Sequence, residues 1–183
     1  FPELTIINVG TASGAYGAFQ NTKSLTKLIA PKLKTISNHT GLSYTEIGTF
    51  QNSSIEEFDA PLMESAGSSS FINCKNLTKV ISNSLTYIGN YTFSGCTSLT
   101  DIDLSNVTDI NIYAFQNCTN LPELDAQNVV NIYGSSFSGC SSLTSLNIPN
   151  CEFIGDCAFA NTGLTGTITI PKVTAIRTQN NTR

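Results

Sequence analysis

Phe93-Ser-Gly-Cys-Thr-Ser-Leu99-Thr-Asp-Ile102-Asp-Leu104-Ser-Asn-Val107-Thr-Asp-Ile110-Asn-Ile-Tyr-Ala-Phe115 is one copy of a segment that the chain repeats. The next copy keeps the apolar positions at Phe115, Leu121, Leu124, Ala126, Val129 and Ile132. The one after keeps them at Phe137, Leu143, Leu146, Ile148, Cys151 and Ile154. Phe71, Phe93, Phe115, Phe137 and Phe159 stand 22 residues apart, and Phe19 and Phe50 head two further copies. A strict period of this length marks a solenoid, whose coils bury their apolar side only by stacking on one another.

Within a copy the apolar positions hold no helical spacing. They alternate only briefly, as in Leu121, Leu124, Ala126. This predicts one short parallel strand per coil, near residues 26–30, 56–60, 78–82, 100–104, 122–126, 144–148 and 167–171, with turns elsewhere and little α-helix. Two residues after each phenylalanine stands Asn21, Asn52, Asn73, Gly95, Asn117, Gly139 or Asn161, the two residue types that best tolerate positive φ, so the chain turns there in a left-handed conformation. The same preference is expected after the isoleucine, at Gly48, Gly89 and Gly155. Stacked phenylalanines should form a buried ladder along the convex side.

The pattern breaks in three places. Phe19 to Phe50 spans 31 residues, nine more than the period, and the surplus is an insertion at 37–48. The coil that starts at Phe50 lacks the cysteine and carries Ala66 beside Gly67-Ser-Ser-Ser70, so its back is expected to be thinly packed. Leu4, Ile6, Val9 and Ala12 supply only the second half of a coil, and Ile168, Ile170, Val173 and Ile176 finish one without an amphipathic cap. Solenoid ends need polar caps. The expectation is a single solenoid domain over 1–183, of about seven to eight coils, both of whose ends are uncapped fragment ends.

The motif LxxIxLxxVxxI, followed by a phenylalanine and an Asn-Cys or Gly-Cys pair, resembles the BspA-like leucine-rich repeat family. The match is carried by Phe93-Ser-Gly-Cys-Thr-Ser-Leu-Thr-Asp-Ile-Asp-Leu104 and Ile154-Gly-Asp-Cys-Ala-Phe159. The resemblance implies a curved leucine-rich repeat solenoid, with a parallel sheet on the concave face and irregular or 3₁₀ turns on the convex face. It also implies a class common on microbial cell surfaces, often adhesive.

Charged residues are 12% of the chain and the formal net charge is −4, which disfavours nucleic acid and anionic membranes as partners. Four cysteines, Cys74, Cys96, Cys118 and Cys140, share one repeat position. They read as buried thiols that hydrogen-bond turn backbone rather than as disulfides, since ladder side chains point inward. Cys151 takes a core slot. Cys157 lies where other coils carry Tyr91, Tyr113 or Ser135, and is the thiol expected to be exposed and reactive. No cysteine pair has zinc-site spacing, and no cofactor or metal is expected. His39, the chain's one histidine, falls in the insertion with no serine or aspartate in register around it, and reads as a solvated loop residue. Gly10-Thr-Ala-Ser-Gly14-Ala-Tyr-Gly17 lacks the Lys-Ser/Thr of a phosphate loop and reads as a turn. Nothing in the repeats supplies a nucleophile–base pair, so an enzyme is not expected.

Stacking the coils creates two outward columns on the concave strands. One reads Lys27, Glu57, Lys79, Asp101, Glu123, Ser145, Thr167, and the other Ile29, Asp59, Ile81, Asp103, Asp125, Asn147, Thr169. Asp101, Asp103, Glu123 and Asp125 thus form a four-carboxylate patch, the candidate binding site. A basic protein segment suits it, or secondarily Ca²⁺. Against this stands the plain reading that the charge keeps an exposed sheet soluble. The overall expectation is a non-enzymatic binding or adhesion module of a secreted or surface-anchored protein. Its concave sheet would recognise a host or cell-surface protein or a glycan, with no nucleic-acid partner and no membrane insertion. The alternative is a structural spacer with no ligand of its own.

Overall fold

The computed structural model describes residues 6–7, 17–37 and 48–177. Its fourteen short strands form parallel ladders, and no helix occurs among the described residues. The concave strands are β2 (Lys27–Ile29), β4 (Glu57–Asp59), β6 (Lys79–Ile81), β8 (Asp101–Ile102), β10 (Glu123–Asp125) and β12 (Ser145–Asn147). Six of the seven expected strands are therefore present. The seventh, at 167–171, is not. In that coil Leu164 arrives one residue before the slot held by Leu143, and Gly166, at φ +74°, redirects the chain just ahead of the strand position.

A second ladder lies beyond the concave one, where only turns were expected. It consists of two-residue strands: β1 (Ile6–Ile7), β3 (Thr35–Ile36), β5 (Ser65–Ala66), β7 (Tyr87–Ile88), β9 (Asp109–Ile110), β11 (Asn131–Ile132), β13 (Phe153–Ile154) and β14 (Ala175–Ile176). These pair in chain order into one eight-stranded parallel sheet. From β3 to β13 each contributes a buried residue at the isoleucine position of the repeat, from Ile36 to Ile154, whereas Ile176 of β14 is exposed.

The third side is a ladder of turns around the phenylalanines. Alternate N–H groups donate along the stack to the next coil, as in Tyr91 to Ile112 O, Phe93 to Ala114 O and Gly95 to Gln116 O, at 3.0, 2.8 and 2.7 Å. From the Phe71 coil onward two left-handed residues per coil accompany this pattern. One is the expected position two after phenylalanine, where Asn21, Asn52, Asn73, Gly95, Asn117, Gly139 and Asn161 all have positive φ. The other lies two before it, at Ser69, Tyr91, Tyr113, Ser135 and Cys157. Gly48, Gly89 and Gly155 are not left-handed, contrary to expectation. They are small because neighbouring backbone passes too close: a Cβ on Gly48 would lie 1.8 Å from Ser69 O, and one on Gly89 2.5 Å from Ser68 N.

All seven phenylalanines stack, with ring centroids 4.9–5.5 Å apart and near-parallel planes. Phe50 to Phe137 are fully buried. The Phe50 coil is not thinly packed. Phe58 stands where other coils place Leu28 or Val80, and its ring meets Phe50 and Phe71 edge-on at 5.3 and 5.0 Å. With Met63 buried beside it, this bulk from the front offsets the small Ala66 at the back.

Candidate functional site

The concave columns fall in the register expected. Lys27 pairs with Glu57, Glu57 with Lys79, and Lys79 with Asp101. Ile29, Asp59 and Ile81 run alongside, while Glu123 pairs with Ser145 and Asp125 with Asn147. Inward residues alternate with them, so Leu28, Phe58, Val80 and Leu124 are buried.

Between Asp101–Ile102 and Glu123–Asp125 the concave sheet is interrupted, leaving a four-stranded and a two-stranded piece. The cause is local. Glu56 and Glu57 donate to Thr26 O, Thr78 and Lys79 to Glu56 O, and Thr100 and Asp101 to Thr78 O. The next donor in that series would be residue 122, which is proline and has no N–H. The pattern resumes one coil later, where Thr144 donates to Pro122 O at 3.0 Å. The signal in the sequence is a lone proline in a strand slot.

The four patch residues differ in their surroundings. All are exposed. Asp101 Oδ2 lies 2.6 Å from Lys79 Nζ, and this carboxylate raises the lysine's pKa above its ordinary value through the hydrogen bond and the charge. Asp103 Oδ1 accepts the Ser105 backbone N–H at 2.9 Å, and Asp125 Oδ1 accepts Asn147 Nδ2 at 2.8 Å. Glu123 alone has no protein partner among the described residues. Lys27 and Glu57 form a second exposed ion pair at 2.8 Å. The outer column thus alternates in charge from Lys27 to Asp101, and Lys79 belongs with Asp101 instead of merely separating two acidic groups. No group of three or more His, Cys, Asp or Glu is arranged to hold a metal ion among the described residues.

The thiols of Cys74, Cys96, Cys118 and Cys140 are unpaired and buried. Each donates to the carbonyl of the phenylalanine one coil back: Phe50, Phe71, Phe93 and Phe115, at 2.9–3.1 Å. Burial raises all four pKa values, that of Cys74 to about 11 and that of Cys140 to about 12. In the Phe50 coil Ser53 fills the cysteine slot and sits 3.4 Å from Cys74 Sγ. Cys157 is exposed, but its thiol donates to Asp156 Oδ1 at 3.3 Å, and the carboxylate pushes its pKa up. Exposure is as expected, and the raised pKa lowers the thiolate fraction of this thiol at a given pH. His39 and most of the 37–48 insertion lie outside the described residues, as do Leu4, Val9, Ala12 and most of the Gly10–Gly17 turn.

The family model "BspA type Leucine rich repeat region (6 copies)" matches residues 17–78 and 64–181. The chain belongs to the BspA-type leucine-rich repeat family. Two solved structures share the fold. One is a leucine-rich cell surface protein from Faecalibacterium prausnitzii, 24% identical, with a TM-score of 0.57, matched over 96% of this chain and 44% of that one. The other is a leucine-rich repeat protein from Bacteroides ovatus, 19% identical, with a TM-score of 0.61, matched over 94% and 53%. This BspA-type chain therefore spans about half the length of either. No curated protein matches it. No helix among the described residues is long and apolar enough to cross a membrane.

Proposed function

We propose that this BspA-type solenoid is a non-enzymatic binding or adhesion module of a secreted or surface-anchored protein. In this reading its concave sheet takes up a basic segment of a host or cell-surface protein around Asp101, Asp103, Glu123 and Asp125. One observation carries it. These four exposed carboxylates flank the interruption of the concave sheet, in a stretch, residues 80–171, that contains no lysine, arginine or histidine. Of the four, only Asp101 has a cation beside it among the described residues. A field of one sign steers an oppositely charged partner and sets register more than it sets affinity. The side chains project from stacked strands, so little ordering is needed on association. The Faecalibacterium neighbour is a cell surface protein, which agrees with display outside the cell.

The test compares two variants for binding an oligolysine peptide at low salt. One is the concave quadruple change D101N/D103N/E123Q/D125N. The other, E64Q/D109N/E152Q/D156N, removes equal charge from other faces. The concave variant should weaken binding about tenfold or more, and the parent's affinity should fall as salt is added. Equal binding by both variants would mean that the patch only keeps the sheet soluble. It would leave the second reading, a stiff spacer, which draws support from the unbroken phenylalanine stack and the eight-stranded ladder.

A further inference from the structure

The edge of the solenoid between the phenylalanine turn and the concave strand changes character along its length. Four residues after the first six ladder phenylalanines the chain places Lys23, Ser54, Lys75, Thr97, Thr119 and Ser141 in one column, and Gly163 follows Phe159. In the later coils this column is closed. Thr97, Thr119 and Ser141 fold their hydroxyls onto the backbone carbonyl of the preceding coil, at 3.4, 3.2 and 3.4 Å. In the first three coils, lysine, serine and lysine replace that pattern, and a surface groove of about 450 Å³ opens beside them.

Asn21, Asn52 and Asn73 line it. Asn52 Nδ2 donates to Asn21 Oδ1 at 3.3 Å, and Asn73 follows in the same column. The run stops at Gly95, over which the Asn73 amide oxygen lies so closely that a Cβ would meet it at 2.3 Å. Asn76 and Ser54 complete the polar wall, and no carboxylate lines the groove among the described residues. Lys23 Nζ donates to Asn52 O at 2.9 Å, while the Lys75 ammonium has no protein partner among the described residues. The two lysines stand two coils apart, about 10 Å at the spacing of stacked strands. That is comparable with the length of one disaccharide unit.

We propose that this groove binds an acidic oligosaccharide carrying a uronate carboxylate on alternate sugars. The two ammonium groups take successive carboxylates. Between them the asparagine amides offer a donor and an acceptor side by side, the pairing that neighbouring sugar hydroxyls require. An acidic peptide would use the lysines but has no need of the asparagine amides. The site is distinct from the concave carboxylate patch and opposite to it in charge.

Hyaluronan hexasaccharide, titrated into the full chain and followed by NMR, tests the proposal. Neutral chitohexaose and hexaglutamate serve as comparison probes. Side-chain amide shifts should concentrate at Asn52, Asn73 and Asn76. Lys75→Ala should weaken binding about tenfold, with its spectrum otherwise unchanged. Lys172→Ala, an equal charge loss near the other end, and the concave quadruple variant should bind like the parent. Absence of shifts at these asparagines overturns the proposal, as does equal weakening by Lys172→Ala. Hexaglutamate binding as tightly as the hexasaccharide would show that the groove reads charge alone. Chitohexaose doing so would show that the lysines are not used. Either result rejects the acidic-sugar assignment.

Discussion

Ser136 occupies the slot just before a ladder phenylalanine, where the flanking coils place Ala114 and Ala158. Its hydroxyl is buried without a hydrogen-bond partner among the described residues. In the same slot Ser70 Oγ donates to Gly67 O at 2.6 Å and Thr92 Oγ1 to Gly89 O at 2.8 Å. A buried polar group left unpaired costs about 1–3 kcal/mol, while a satisfied one contributes about 1. Ser136→Ala should therefore raise stability by about 1 kcal/mol, whereas Thr92→Ala should lower it. Urea unfolding checks both signs, and a destabilised Ser136→Ala would mean that the hydroxyl is satisfied in solution. Cys157 gives a second prediction. Because Asp156 raises its pKa, less of it is thiolate at a given pH, and thiolate is the reactive form. Native protein should be labelled at Cys157 before any buried thiol, yet slowly, and Asp156→Asn should speed labelling near pH 8. An unchanged rate would remove the carboxylate from the explanation. At this scale, legibility depended on residue type. Asn and Gly announced the left-handed position after each phenylalanine. Tyr91, Tyr113, Ser135 and Cys157 concealed the one before it, because their conformation is imposed by hydrogen bonds to the next coil rather than by intrinsic preference.

Among the elements, those with their own period were readable and those without were not. The concave strands alternate inward and outward over three residues, so their positions and outward columns could be drawn before any coordinates. The second ladder's strands have two residues each, too few to show an alternation. Their only sequence signal was the isoleucine recurring once per coil, which read as packing alone. The interruption at Pro122 needed the hydrogen-bond series of neighbouring coils to become visible. The phenylalanine stack is the strongest element-scale claim and the easiest to break. Phe115 lies 5.2 Å from both Phe93 and Phe137 and is fully buried. Phe115→Ala leaves a gap that neighbours held by stack hydrogen bonds cannot close, and should cost about 3–5 kcal/mol. Half-buried Phe159, with a described ring neighbour on one side only, should cost less when cut back to alanine. Equal thermal midpoints for parent and Phe115→Ala would reject the ladder as a source of stability.

Charge is distributed unevenly over the whole molecule, and the sequence alone displays this. Lys23, Lys27, Lys32, Lys34, Lys75 and Lys79 crowd the early coils, whereas residues 80–171 carry seven carboxylates and no cation. Within that later stretch the carboxylates repel one another, and among the described residues Asp101 alone borrows a lysine, from the coil before. Opposed to this are the exposed pairs Lys27–Glu57, Lys34–Glu64 and Lys79–Asp101, each worth little at a surface. Salt screens both effects. Raising it from about 0.01 M to 1 M shortens the screening length from roughly 30 Å to 3 Å, which removes the many longer-range repulsions and weakens the few close attractions less. Because repulsions outnumber pairs in the later coils, the thermal midpoint should rise with sodium chloride. The rise should be smaller in the D101N/D103N/E123Q/D125N variant, which has less repulsion to screen. Such a difference would mean that the chain tolerates a measurable electrostatic cost to keep these carboxylates on its concave face, as expected of a surface kept for a partner. If midpoint and variant respond to salt alike, the carboxylates are too well hydrated to cost anything, and their position needs no partner to account for it.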